Sequence, residues 1–116
     1  VLASPMVRAD RYGSPLAKSP REVEYELFAR ITRALQIAPK GAAQAIVDNT
    51  QLWTELAADL ASPGNALPDA VKGHLLSLAM FSIRHGNRVL GGKGDASVLV
   101  DINLNIMKGL RGQRAE

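Results

Sequence analysis

LPDAVKGHLLSLAMFSIRHGNRVLGG, residues 67–92, decides the fold. Its centre, Leu75 to Ile83, is apolar apart from Ser77 and Ser82. That run is too long for an ordinary strand and too short to span a bilayer. A segment that is apolar over most of its circumference belongs inside a helical bundle. At about 100° per residue, Val71, Leu75, Leu78, Ala79, Ile83 and Val89 share one broad side, and Leu76, Met80 and Leu90 widen it. The remaining arc carries Gly73, His74, Ser77, Phe81, Arg84, His85 and Arg88. The expectation is a central helix touched on several sides, with one mixed polar strip left over.

Working outward, proline and glycine clusters punctuate the chain. Ser19-Pro20-Arg21-Glu22 has the form of a capping box with proline at the first helical position. Val23, Leu27, Ile31, Ala34, Leu35 and Ala38 then repeat with helical period until Pro39-Lys40-Gly41. In the next segment Ile46, Trp53, Leu56 and Leu60 share a side, which makes Trp53 a core residue. Asn49 lies on that side and needs hydrogen-bond partners if buried. Ser62-Pro63-Gly64-Asn65 breaks the helix, and Asn65 or a neighbour starts the next. After Gly91-Gly92-Lys93-Gly94, Asp95 caps a last helix. Leu99, Ile102, Ile106 and Leu110 form its inner side, with Asn103 among them. Gly109 sits on its flank, where a close helix contact is expected, and the tail from Arg111 is expected to fray. The fold class is all-α, a small bundle of about four helices near 20–38, 42–61, 67–90 and 96–110. Residues 1–18 read as a flexible N-terminal arm and 19–112 as a single helical domain. Met6 is a candidate natural start, which would make residues 1–5 extraneous.

The chain has 116 residues, no cysteine and a net charge of +3. One domain of this size holds a modest core without disulfides. No apolar run reaches membrane-spanning length, so the expected setting is the cytoplasm and no membrane contact. Residues 1–40 carry seven lysines and arginines against four acids. A basic end attracts RNA or an acidic partner, though solubilising charge is the commoner explanation.

The catalytic near-misses fail on chemistry. Gly86 to Gly94 resembles a phosphate loop, but a helix precedes it and glycine stands where the hydroxyl residue belongs. A glycine-rich helix terminus accounts for it. His74 and His85 lie about 16 Å apart along one helix, too far to share a metal. Glu22, Glu24 and Glu26 fit the positive end of a helix dipole. No serine has a recognisable base and acid. The expectation is no enzyme, no cofactor and no metal.

Five motifs occur in order: Ser19-Pro20-Arg21-Glu22-x-Glu24 with Leu27-Phe28 and Thr32-Arg33-Ala34-Leu35; Asn49-x-x-Leu52-Trp53-x-x-Leu56-Ala57-x-Asp59; Pro63-Gly64-Asn65-x-Leu67-Pro68; Ser77-Leu78-x-x-Phe81-x-x-Arg84-His85; and Ile102-Asn103-x-x-Ile106-Met107-x-Gly109-Leu110. Together they resemble the flagellar biosynthesis regulator FlaF family, from about Tyr12 to Leu110. The resemblance implies a small helical cytoplasmic protein, without enzymatic activity or cofactor, that acts on flagellin. It implies a flagellin-binding chaperone or coupling factor in flagellin synthesis and secretion. Residues before about Arg8 and the Gly86-Asn87 pair depart from the pattern, and the latter predicts an irregular end to the central helix. Flagellin ends are amphipathic helices, which a bundle with an exposed apolar surface can hold.

The expected partner surface is Phe81, Arg84, His85 and Arg88, extended by Tyr25 and Phe28 of the first helix. Phe81 is either covered by the first or fourth helix or exposed as an anchor. The alternative function is direct binding of flagellin messenger RNA, carried by the basic arm with Arg21, Arg30 and Arg33. Neither an RNA-binding motif nor an aromatic stacking platform accompanies those residues.

Overall fold

The computed structural model describes residues 20–37 and 43–115, with side chains over 24–37 and 43–110. Among them the chain forms four helices and no strand: α1 (Pro20–Ile37), α2 (Ala43–Ala61), α3 (Asp69–Leu90) and α4 (Ser97–Ala115). The all-α bundle read from the periodicity is therefore the fold. The arm and Ser19 lie outside the described residues, and the side chain of Glu22 lies outside the described side chains, so the expected cap does too.

The helices pack as two pairs. α2 lies along α3 and α1 along α4, while the α1–α2 and α3–α4 seams are thinner. The principal core cluster gathers Phe28 and Ile31 from α1, Leu52, Trp53 and Leu56 from α2, Ala79 from α3 and Leu110 from α4. Trp53 is 1% exposed, as its place on the apolar side predicted, and Phe28 meets it edge-on at 5.7 Å and 77°. Its indole Nε1–H donates to Asn103 Oδ1 at 3.0 Å, and Asn103 Nδ2–H donates to Asn49 Oδ1 at 2.7 Å. Both asparagines are fully buried. This chain of bonds supplies a partner for Asn49 Oδ1, leaves its buried Nδ2 without one among the described residues, and ties α2 to α4 across the core.

The central position belongs to α2, not α3. α2 buries Ala45, Ile46, Asn49, Leu52, Trp53, Leu56 and Leu60, whereas α3 buries only Leu75, Ala79, Ser82 and Gly86. The buried stripe of α3 is mostly small residues, so α2 approaches closely and the large side chains are left at the flanks. Val71, Met80, Phe81 and Leu90 are exposed as a result. The close approach occurs at Gly86, where an added Cβ would stand 2.7 Å from Thr50 Oγ1 and 3.5 Å from Ile46 Cγ2. The tight glycine contact expected at Gly109 is absent, since an added Cβ there meets nothing within 4 Å. Gly86 does not loosen α3, which runs through it to Leu90.

Asn65 does not itself cap α3. It is buried, and its Oδ1 accepts from Leu67 N–H at 3.0 Å while its Nδ2 donates to Asp59 Oδ2 at 3.2 Å. These bonds close the α2–α3 turn, and the extended Pro68 opens the helix, its carbonyl accepting from Lys72 N–H. α4 also outruns the expected fray point, continuing to Ala115. Leu110, 1% exposed, anchors its late turn. Beyond it, Arg111, Gln113, Arg114 and Ala115 are residue types with high helix propensity.

Candidate functional site

α3 has the spacing to place Phe81, Arg84, His85 and Arg88 on neighbouring turns of one outward arc. Phe81 is 41% exposed, so neither α1 nor α4 covers it fully. Its ring stacks on the His85 imidazole with centroids 5.4 Å apart and planes 12° from parallel. Arg84 and Arg88 are exposed on the same arc, as is His74 two turns before Phe81. A half-exposed phenyl ring with two exposed arginines on the same arc can take an apolar side chain and pair acids along that arc.

The strip is fixed at its C-terminal end by the turn into α4. His85 Nε2 lies 2.8 Å from the Asp95 backbone carbonyl. A carbonyl can only accept, so Nε2 carries the proton and donates. Gly94 allows this contact. Its φ is +104°, and an added Cβ would be 3.3 Å from His85 Cε1. The preceding turn closes α3 through Gly91 N–H to Asn87 O, Gly92 N–H to Val89 O and Lys93 N–H to Arg88 O. Gly92 has φ +83°, the left-handed conformation expected after a helix end.

Asp95 joins the strip to α4. Its Oδ1 accepts from Ser97 N–H at 2.8 Å. That backbone bond, then the Ser97 hydroxyl and the adjacent His85, hold the Asp95 carboxyl below its ordinary range. The sequence identified Asp95 as a cap and the glycines as a terminus. It did not show that both hold His85, because that contact crosses a turn. The Gly94-Asp95-x-Ser97 spacing was the available signal.

The α1 residues do not extend this surface. Phe28 is 1% exposed and is consumed in the contact with Trp53, which corrects its assignment to the partner surface. Tyr25 is half-buried and packs against the same core cluster. α1 lies along α4 and makes no extensive seam with α3, so the candidate site contracts to Phe81, Arg84, His85 and Arg88.

Among the described residues no group of three or more His, Asp or Glu could hold a metal ion. Among them, no helix is long and apolar enough to cross a membrane. No curated protein and no solved structure matches the chain. The family model described as flagellar protein FlaF matches residues 10–110, nearly the whole sequence. The chain belongs to the FlaF family of flagellar proteins.

Proposed function

We propose that this protein binds flagellin and acts as a chaperone or coupling regulator of its synthesis and secretion, by binding rather than catalysis, in the cytoplasm. Membership of a flagellar family supports the setting. The observation that carries the binding surface is the half-exposed Phe81, held by His85 and flanked by exposed Arg84 and Arg88. An amphipathic terminal helix of flagellin would set an apolar side chain on Phe81 and pair its acids with the two arginines. An aromatic anchor with charges at its rim is the usual energetic plan of such an interface.

The test is co-purification and titration with full-length flagellin and with flagellin lacking either terminus. Phe81→Ala should keep the circular dichroism and melting behaviour of a folded bundle. It should weaken binding by about 2 kcal/mol, roughly thirtyfold. Full-strength binding by a folded Phe81→Ala protein would remove this strip as the interface. A protein that binds flagellin messenger RNA instead, with affinity falling steeply as salt rises, would replace the proposal with the RNA alternative.

A further inference from the structure

The thin seam between α1 and α2 leaves an open groove of about 380 Å³. Its floor is apolar: Leu27, Ile31 and Ala34 from α1, with Ala45 and Leu52 from α2. Its α2 rim carries Asp48 and Glu55, and its α1 rim carries Arg30. Asp48 and Glu55 lie seven residues apart, about 10 Å along the helix axis. Each accepts from a glutamine one turn earlier on its own helix, Gln44 at 2.9 Å and Gln51 at 3.3 Å. Among the described residues neither makes an ion pair.

The charge of this wall sets it apart from the rest of the molecule. α2 contains Asp48, Glu55 and Asp59 and no lysine or arginine. The chain as a whole carries +3. An acidic helix in a basic protein, with two unpaired carboxylates over an apolar floor, complements a cation-bearing apolar ligand. The groove runs for about two turns of α1 and three of α2, a trough suited to another helix. The α3 strip has the opposite character, since Phe81 there is flanked by arginines.

We infer that the α1–α2 groove is a second docking site, for an amphipathic helix of another protein with an apolar stripe flanked by lysine or arginine. The stripe meets the half-buried Leu27 and Ala34 above the core residues Ile31 and Leu52, and the flanking cations reach Asp48 and Glu55. With the α3 strip, the bundle then carries two interfaces of opposite charge preference on different helices. This inference is independent of flagellin binding at Phe81, and either can fail alone.

The probe is a synthetic amphipathic helix of about fourteen residues, long enough for the groove, with leucines on one face and lysines beside them. A counterpart replaces every lysine with glutamate. Binding to the full chain is measured by fluorescence anisotropy at low and moderate salt, and the site is located by side-chain methyl shifts. The lysine peptide should bind at least about tenfold more tightly than the glutamate peptide, shifting Leu27, Ile31 and Leu52. Asp48→Lys/Glu55→Lys, at exposed or half-exposed positions, should keep its helical content and reverse the preference. Equal binding of the two peptides, no binding, or shifts confined to α3 would overturn the inference. So would tighter peptide binding after removal of residues 1–18, which would assign the groove to the chain's own arm. Self-association abolished by Asp48→Lys/Glu55→Lys would assign it to a second copy, and would overturn the inference equally.

Discussion

At the scale of single residues, buried polarity and small side chains carry most of the specificity. Asn103 satisfies the Trp53 indole N–H and the Asn49 Oδ1 at once. Truncating it strands a buried donor and a buried acceptor, each costing about 1–3 kcal/mol. Asn103→Ala should therefore destabilise the bundle by about 2–4 kcal/mol in urea unfolding. A change below about 0.5 kcal/mol would mean that the network is not held in solution. Gly86 offers a sharper test, because two effects oppose each other. Alanine at a helical position gains about 1 kcal/mol over glycine. At Gly86 the new methyl would overlap Thr50 Oγ1, which is on a stiff β-branched side chain. Overpacking costs about 1–3 kcal/mol. Gly86→Ala should therefore lower the melting temperature, and Thr50→Ala in the same chain should restore much of the loss. Gly109→Ala and Gly73→Ala, with open space around each, should be neutral or stabilising. If Gly86→Ala behaves like those two, the close α2–α3 approach is wrong.

At the scale of elements, the order and type of the helices were legible because the breakers are chemically unambiguous. Pro39-Lys40-Gly41, Ser62-Pro63-Gly64-Asn65 and Gly91 to Gly94 separate four helical periods. Observed ends agree with the periodicity to within a residue or two, except at α4, where the anchoring of Leu110 carries the helix onward. Which helix stands at the centre was not legible. Hydropathy reports how much apolar surface α3 has, but its small inward stripe decides how much of that surface is covered. The same limit applies to Phe28, at the margin of its helix's apolar side, whose burial depends on the position of Trp53 in another element. The adjacency of Phe81, Arg84, His85 and Arg88 came from helical spacing, whereas the His85 link to Asp95 did not. The same turn has a pH signature through the Asp95 side chain. The Asp95 carboxyl lies below its ordinary value in the folded chain, chiefly through the Ser97 N–H bond. A depressed carboxyl contributes stability above its unfolded value of about 3.9 and loses it as pH falls through the folded value. Wild-type stability should therefore fall on acidification below about pH 4 more steeply than that of Asp95→Asn. Parallel curves for the two proteins from pH 6 to pH 2 would show that Asp95 makes no such contribution.

At the scale of the whole molecule, the bundle is two helix pairs joined through one side of α2. Trp53 touches α1 through Phe28 and α4 through Asn103, and the neighbouring Ile46 and Thr50 of α2 meet α3 at Gly86. The α1–α2 and α3–α4 seams are thin, so the pairs meet chiefly in the shared apolar core, where Trp53 and Asn103 make the polar tie. Opening should then proceed by pairs, with α2 and α3 the last to separate. Native-state hydrogen exchange resolves this, because it reads the opening free energy of each segment separately. In the wild-type chain the slowest amides should lie in α2 and in α3 around Ala79 to Gly86. In Asn103→Ala the tie between α2 and α4 is cut while the α2–α3 contact is untouched. Protection in α4, and in α1 beside it, should fall by about 10–100-fold, the exchange equivalent of a lost buried hydrogen bond or two. Protection in α2 and α3 should fall less. Equal losses across all four helices would mean that the bundle opens only as one unit. A larger loss in α3 than in α4 would mean that the pairs are divided elsewhere than at Trp53 and Asn103.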